Sequence, residues 1–184
     1  VVKDVLARRA AFIGPPEKMP PWLRLGIWYA EREARQELLP GRLLAWYPPA
    51  AISSGLLESL IADGKKDLTP RLLRLVRLQV SLSVSCPFCV SMNSVELSDS
   101  LITAEELSAL RGRIDVDAVA TFSERERLAV RYARLISATP LKFPPEIVEK
   151  LTANFAEREI VILATTAAQV NYWARLIQAL GIPV

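Results

Sequence analysis

A chain of 184 residues, 51% hydrophobic and 23% charged, has the size and composition of one soluble domain with a sizeable core. Its 23 basic and 20 acidic residues are interspersed and sum to +3, which excludes the clustered basic patch of a nucleic-acid binder. The longest apolar run, Ile160 to Ala168, is about half a membrane span, and the N-terminus lacks the apolar core and cleavage site of a signal peptide. The expectation is a cytoplasmic protein with neither membrane nor nucleic-acid partner.

Apolar residues recur at helical spacing and no segment alternates at period two, so the fold class is all-α. Prolines punctuate it. GPPEKMPP (14–21) separates a short N-terminal helix from one over Trp22–Leu38, and LPGR and YPPA bracket a short element, Leu43–Tyr47. A helix over Ala51–Ala62 stops at Asp63-Gly64, where glycine can take the left-handed conformation. Thr69-Pro70 pairs a hydroxyl cap with proline at the first helical position and opens a helix to about Leu82. Ser85 reads as the cap of the next helix, which runs through Pro87 to about Leu97. Two capping boxes, Thr103 with Glu106 and Ser123 with Glu126, open helices over 103–111 and 123–138. TPLKFPP precedes Glu146–Asn154 and a closing helix, Glu157–Leu180, stopped by Gly181 and Pro183. RLVRLQVSLSVSCPFC (74–89) faintly echoes EIVILATTAAQVNYWA (159–174), which fits two related halves.

The stretch SVSCPFCVSMNSVEL (83–97) holds both cysteines, Cys86 and Cys89. Two cysteines in so long a chain are no disulfide scaffold; at C-x-x-C spacing they read as a redox pair or half a metal site. The chain has no histidine, and zinc would need two more Cys or His ligands, so no metal is expected. At a helix start, unsatisfied N–H groups favour a thiolate, most of all at Cys86, and the spacing lets a reversible disulfide close. The plainer alternative is a pair of buried packing residues. Trp22, Trp28, Trp46 and Trp173 read as core or interface residues. Arg71, Arg74 and Arg77 read either as a solvated or subunit-facing stripe above Leu72, Leu75, Leu78 and Leu82, or, for Arg74, as a cation near the sulfurs.

CPFCVSMN, with RLLRLVRLQVS before it and SERERLAVRYARLISATP and NYWARLIQALGIP after it, resembles the AhpD-like alkylhydroperoxidase group of the carboxymuconolactone decarboxylase superfamily. The resemblance implies an all-helical domain of two quasi-repeated halves over 39–184, with 1–38 a helical extension packed on it. It also implies a homo-oligomer (dimer, trimer or hexamer) that reduces organic hydroperoxides through its cysteines without a bound cofactor. Cys89 falls on the peroxide-attacking thiol and Cys86 on the resolving one. The family's His position holds Asn93 and its Glu position holds Arg74, so neither residue shuttles protons at neutral pH. Arg74 would instead favour a thiolate as a fixed cation. Asn93 would hydrogen-bond a sulfur, a water or a peroxide oxygen, and Glu96 is a more distant substitute. The expected function is a thiol-dependent oxidoreductase acting on organic hydroperoxides or disulfides, weakened by the lost relay and recharged by an unknown thiol reductant. The alternatives are a non-catalytic assembly or small-molecule-binding protein, and a lyase or isomerase using the same helical pocket.

Overall fold

A computed structural model of the chain describes residues 11–34, 36–60, 67–94 and 102–184. Among them are nine α-helices and no strand: α1 Pro21–Ala34, α2 Leu39–Leu44, α3 Pro48–Leu60, α4 Pro70–Ser83, α5 Pro87–Ser94, α6 Ala104–Leu110, α7 Glu124–Ser137, α8 Pro145–Asn154 and α9 Glu157–Ala179. A 3₁₀ turn, Val116–Ala118, joins α6 to α7. The backbone forms two compact units, Val1–Leu60 with Leu176–Val184, and Ile61–Arg175. The expected first helix, the Asp63-Gly64 stop, the helix end at Leu97 and Glu96 fall wholly or largely outside the described residues.

Proline starts helices here more than it ends them. Pro21, Pro40, Pro48, Pro70, Pro87 and Pro145 all stand in first turns, where the missing N–H leaves no bond unmade. LPGR is therefore the opening of α2, and the short element expected at Leu43–Tyr47 begins earlier, at Leu39. The helix expected to reach Leu38 stops at Ala34. Its Glu31 carboxylate turns back to accept the Leu38 N–H at 3.0 Å and the Arg42 guanidinium at 2.8 and 3.1 Å, bracing the chain ahead of Pro40. In the same unit, Trp22, Trp28 and Trp46 are more than half exposed, which removes them from the core.

The second unit is built on α4. Leu72, Leu73, Val76 and Val80 pack with Leu128, Leu151, Phe155 and Leu163 from α7, α8, the residue after α8, and α9. Leu75 and Leu78 on another face pack with Leu110, Phe122 and Val130. Two apolar faces leave a narrow third one, along which Arg71, Arg74 and Arg77 are only partly exposed. The α9 helix is long and apolar enough to span a bilayer, but Leu163, Ala167 and Ala174 are fully buried in the protein, as in a core helix.

Both capping boxes close as their spacing predicts, and so does the Thr69 cap. What joins the boxes is Arg71, which the sequence placed in a solvated or subunit-facing stripe. Its Nη2 donates to Glu106 at 2.6 Å and its Nε to Glu126 at 2.8 Å. The Thr121 hydroxyl adds a bond to Glu106 at 2.7 Å. Burial alone would raise the Glu106 pKa, but the bonds from Thr121, the Thr103 N–H and Arg71 hold it below the ordinary carboxylate value. One guanidinium thus ties the starts of α6 and α7 to α4.

Candidate redox-active site

The cysteines stand at a junction of two helix ends. At the end of α4 the Ser85 N–H bonds to Leu82 O and the Cys86 N–H to Ser81 O, both at 3.1 Å. This is the double bond pattern of a Schellman stop, which needs its C′ residue left-handed. The stops of α6 and α9 meet that need with glycine, Gly112 at φ 71° and Gly181 at φ 62°. Here the residue is Ser85, at φ 51°, and a left-handed non-glycine costs about 1 kcal/mol. Backbone strain sits one residue before the first cysteine.

Ser85 therefore does not cap α5, contrary to the sequence expectation. A residue held left-handed by the previous helix cannot take the extended backbone of an N-cap. Cys86 takes the role instead. Its carbonyl accepts the Val90 N–H at 2.9 Å, and its Sγ accepts the Cys89 N–H at 3.3 Å. Pro87 follows at the first helical position. The cap sulfur faces the N–H-rich end of the helix, a setting that favours negative charge on it.

Cys86 and Cys89 are joined as a disulfide with Cα atoms 5.3 Å apart, a separation within the usual range. Cys86 is fully buried and Cys89 is 4% exposed. Both the redox geometry and the burial named by the plainer reading are present together.

Asn93 lies one turn beyond Cys89, but its two amide hydrogens are committed elsewhere. They go to Ser81 Oγ at 3.1 Å and to the Cys89 carbonyl at 2.8 Å. Ser81 Oγ in turn donates to Arg77 O at 2.8 Å. Asn93 thus ties α5 to the end of α4. The device recurs between α9 and α7: Asn171 Nδ2 reaches Ser137 Oγ at 3.3 Å and Ala167 O at 3.0 Å, and Ser137 Oγ reaches Ala133 O at 2.8 Å. The same Asn–Ser clamp thus occurs twice among the described residues. Nothing in the sequence signals it, because each Ser–Asn pair spans a different stretch of chain. Arg74 is partly buried two turns before Ser81, about 10 Å back along the α4 axis. Among the described residues no cluster of three Cys, Asp or Glu is placed to hold a metal ion.

No family model matches the chain. The uncharacterized protein YnjA of Escherichia coli strain K12 is 26% identical over 169 residues, 92% of this chain and 91% of YnjA. Among solved structures, the debrominase Bmp8, in a cysteine-to-alanine form in complex with 2,3,4-tribromopyrrole, has a TM-score of 0.77 at 18% identity. The match covers 94% of this chain and 91% of that one. An alkylhydroperoxidase AhpD core, a peroxidase-related protein from Ralstonia eutropha JMP134, has a TM-score of 0.76 at 16% identity, covering 96% and 93%. At these identities the likeness is one of fold: the chain has the AhpD-like all-α fold.

Proposed function

We propose that the chain is an AhpD-like thiol-dependent oxidoreductase whose Cys86 and Cys89 cycle between dithiol and disulfide. The observation that carries the reading is the pair itself, two sulfurs within bonding reach at a helix start, one accepting the other residue's N–H. With an organic hydroperoxide, the Cys89 thiolate attacks the outer oxygen, the O–O bond breaks, and the departing alkoxide takes a proton to become an alcohol. The Cys86 thiolate then attacks the sulfenic sulfur, the disulfide forms, and water leaves. A thiol reductant returns the two electrons. The Cys89 role follows the family resemblance; the N–H bond to Cys86 suits a resolving thiolate that must be ionised when the sulfenic acid forms. The same reading carries a homo-oligomer and a cytoplasmic location.

The weak step is the proton. Asn93 does not titrate and its amide hydrogens are engaged, so the alkoxide must take its proton from water. General-acid help is worth about 10²–10⁴ in rate, and peroxidase turnover should be slower by that order. A second reading on the same sulfurs is reductive dehalogenation, which the debrominase of like fold makes concrete. One thiolate takes the bromine, the carbon takes a proton from solvent, and the second thiolate displaces bromide as the disulfide closes. An organic bromide and two thiols thus become the hydrocarbon, a disulfide and hydrogen bromide.

The test is turnover of tert-butyl hydroperoxide and of a brominated pyrrole with dithiothreitol as reductant. Cys86→Ser and Cys89→Ser should each abolish whichever activity is present. Asn93→His with Arg74→Glu, checked for folding, should raise hydroperoxide reduction. Turnover of neither substrate, with both thiols free after mild oxidation, would transfer the fold to a non-catalytic role.

A further inference from the structure

Away from the cysteines, a cavity of about 300 Å³ opens where the end of α4 meets the end of α6 and the last turn of α7. Gln79, Leu82 and Ser83 line one side, Leu110, Arg111 and Gly112 a second, and Arg134 a third. Gln79 and Ser81 are two apart on α4 and so point to nearly opposite sides, which separates this cavity from the Asn93 clamp.

Two polar side chains in it are incompletely matched. Gln79 is 2% exposed, and its Nε2 donates to Ser83 Oγ at 3.0 Å while its Oε1 has no partner. Turning the amide lets Ser83 donate to Oε1 but orphans Nε2 instead, so the empty site always leaves one amide atom unmatched. Leaving such a buried group unpaired is costly, and it marks a place for a ligand atom. Arg134 is the second. It donates Nη2 to Ala109 O at 2.6 Å, at the carbonyl end of α6, and among the described residues it makes no carboxylate ion pair. The neighbouring Asp115 and Asp117 are turned to Arg131. Burial, then the like charge of Arg131, depress the Arg134 pKa, and the more weakly acting Asp115 only partly offsets them.

We propose that this cavity binds a small organic carboxylate, its oxygens held by Arg134 and by the turned Gln79 amide, its apolar body against Leu82 and Leu110. A guanidinium beside an amide donor matches the two oxygens of a carboxylate, and Arg111 stands exposed at the mouth. The cavity is at the small end for ligand sites, which limits the ligand to a compact acid.

Titrating the whole chain with benzoate, phosphate or benzamide, followed by ¹⁵N NMR of the side-chain amides, tests it. Benzoate should saturate and shift the Gln79 side-chain peaks, binding at least about tenfold more tightly than phosphate, which lacks the body, or benzamide, which lacks the charge. Because Arg134 also neutralises the α6 end, the variants are Arg134→Lys, which keeps the charge without the fork, and Gln79→Met, which keeps the bulk. Each should weaken benzoate at least about tenfold with the fold intact. If Arg134 serves only as a cap for α6, both variants bind benzoate like the parent, and the proposal is overturned. Saturation by benzoate that leaves the Gln79 side-chain peaks unmoved would overturn it too.

Discussion

Two residues carry most of the local tension. Ser85 holds a left-handed backbone where the equivalent stops of α6 and α9 use Gly112 and Gly181. Ser85→Gly should raise stability by about 1 kcal/mol in urea unfolding, the strain released offset in part by the freer unfolded chain. No gain would mean that the site relaxes the strain some other way. Arg71 is the other. It is the cation for Glu106, whose side chain is 1% exposed, and for Glu126 at 11%. Arg71→Met leaves two carboxylates sharing a buried site without it. A loss of about 3 kcal/mol or more is expected by the same urea measurement. A loss under about 1 kcal/mol would show that the carboxylates find water.

At the scale of elements, helix starts are held by carboxylates that hydrogen-bond backbone N–H groups, and these set the response to acid. Glu106 at α6 and Glu159 at α9 both have pKa values below the usual 4.5, despite burial that works the other way. A group depressed in the folded state contributes stability that is complete above its unfolded pKa and lost as pH falls through the folded one. Stability should therefore be flat near neutrality and fall below about pH 4.5. Glu106→Gln should make that fall shallower in urea midpoints measured from pH 6 to pH 3; an unchanged slope would remove Glu106 from the account. The Asn–Ser clamps make a second comparison. Asn93→Ala and Asn171→Ala should each cost about 1–2 kcal/mol. Only Asn93→Ala should also speed reduction of the disulfide by dithiothreitol, because only that clamp holds the helix carrying Cys89. Equal reduction rates in the two variants would make both clamps purely structural.

For the molecule as a whole, exposed apolar surface is the unspent feature. Trp22, Leu25, Trp28 and Tyr29 on α1, each more than half exposed, form a face that a lone soluble chain seldom shows. With the homo-oligomer proposed above, sedimentation at micromolar concentration should give a species larger than the 20.4 kDa chain. Trp28→Glu should shift it toward the monomer, and a monomer in the parent protein would sink the proposal.

Structures made within one or two helical turns were legible in the order of residues alone. Helical spacing settled the fold class, and hydroxyl-x-x-Glu spacing settled the starts of α6 and α7. The C-x-x-C spacing put two sulfurs on one turn, since those partners are adjacent in the chain and few conformations compete. The tertiary structure decided what needs a partner from afar. Arg71 reads as a surface residue until Glu106 and Glu126, 35 and 55 positions away, are brought to it. Asn93 reads as a ligand for sulfur until packing of α5 on α4 delivers Ser81. Ser85 reads as an N-cap because serine prefers that place, and only the incoming end of α4 forces it left-handed. A cap or a turn is set by the few atoms beside it, whereas a long-range pair is set by the summed packing of whole helices, which no short pattern of residues records.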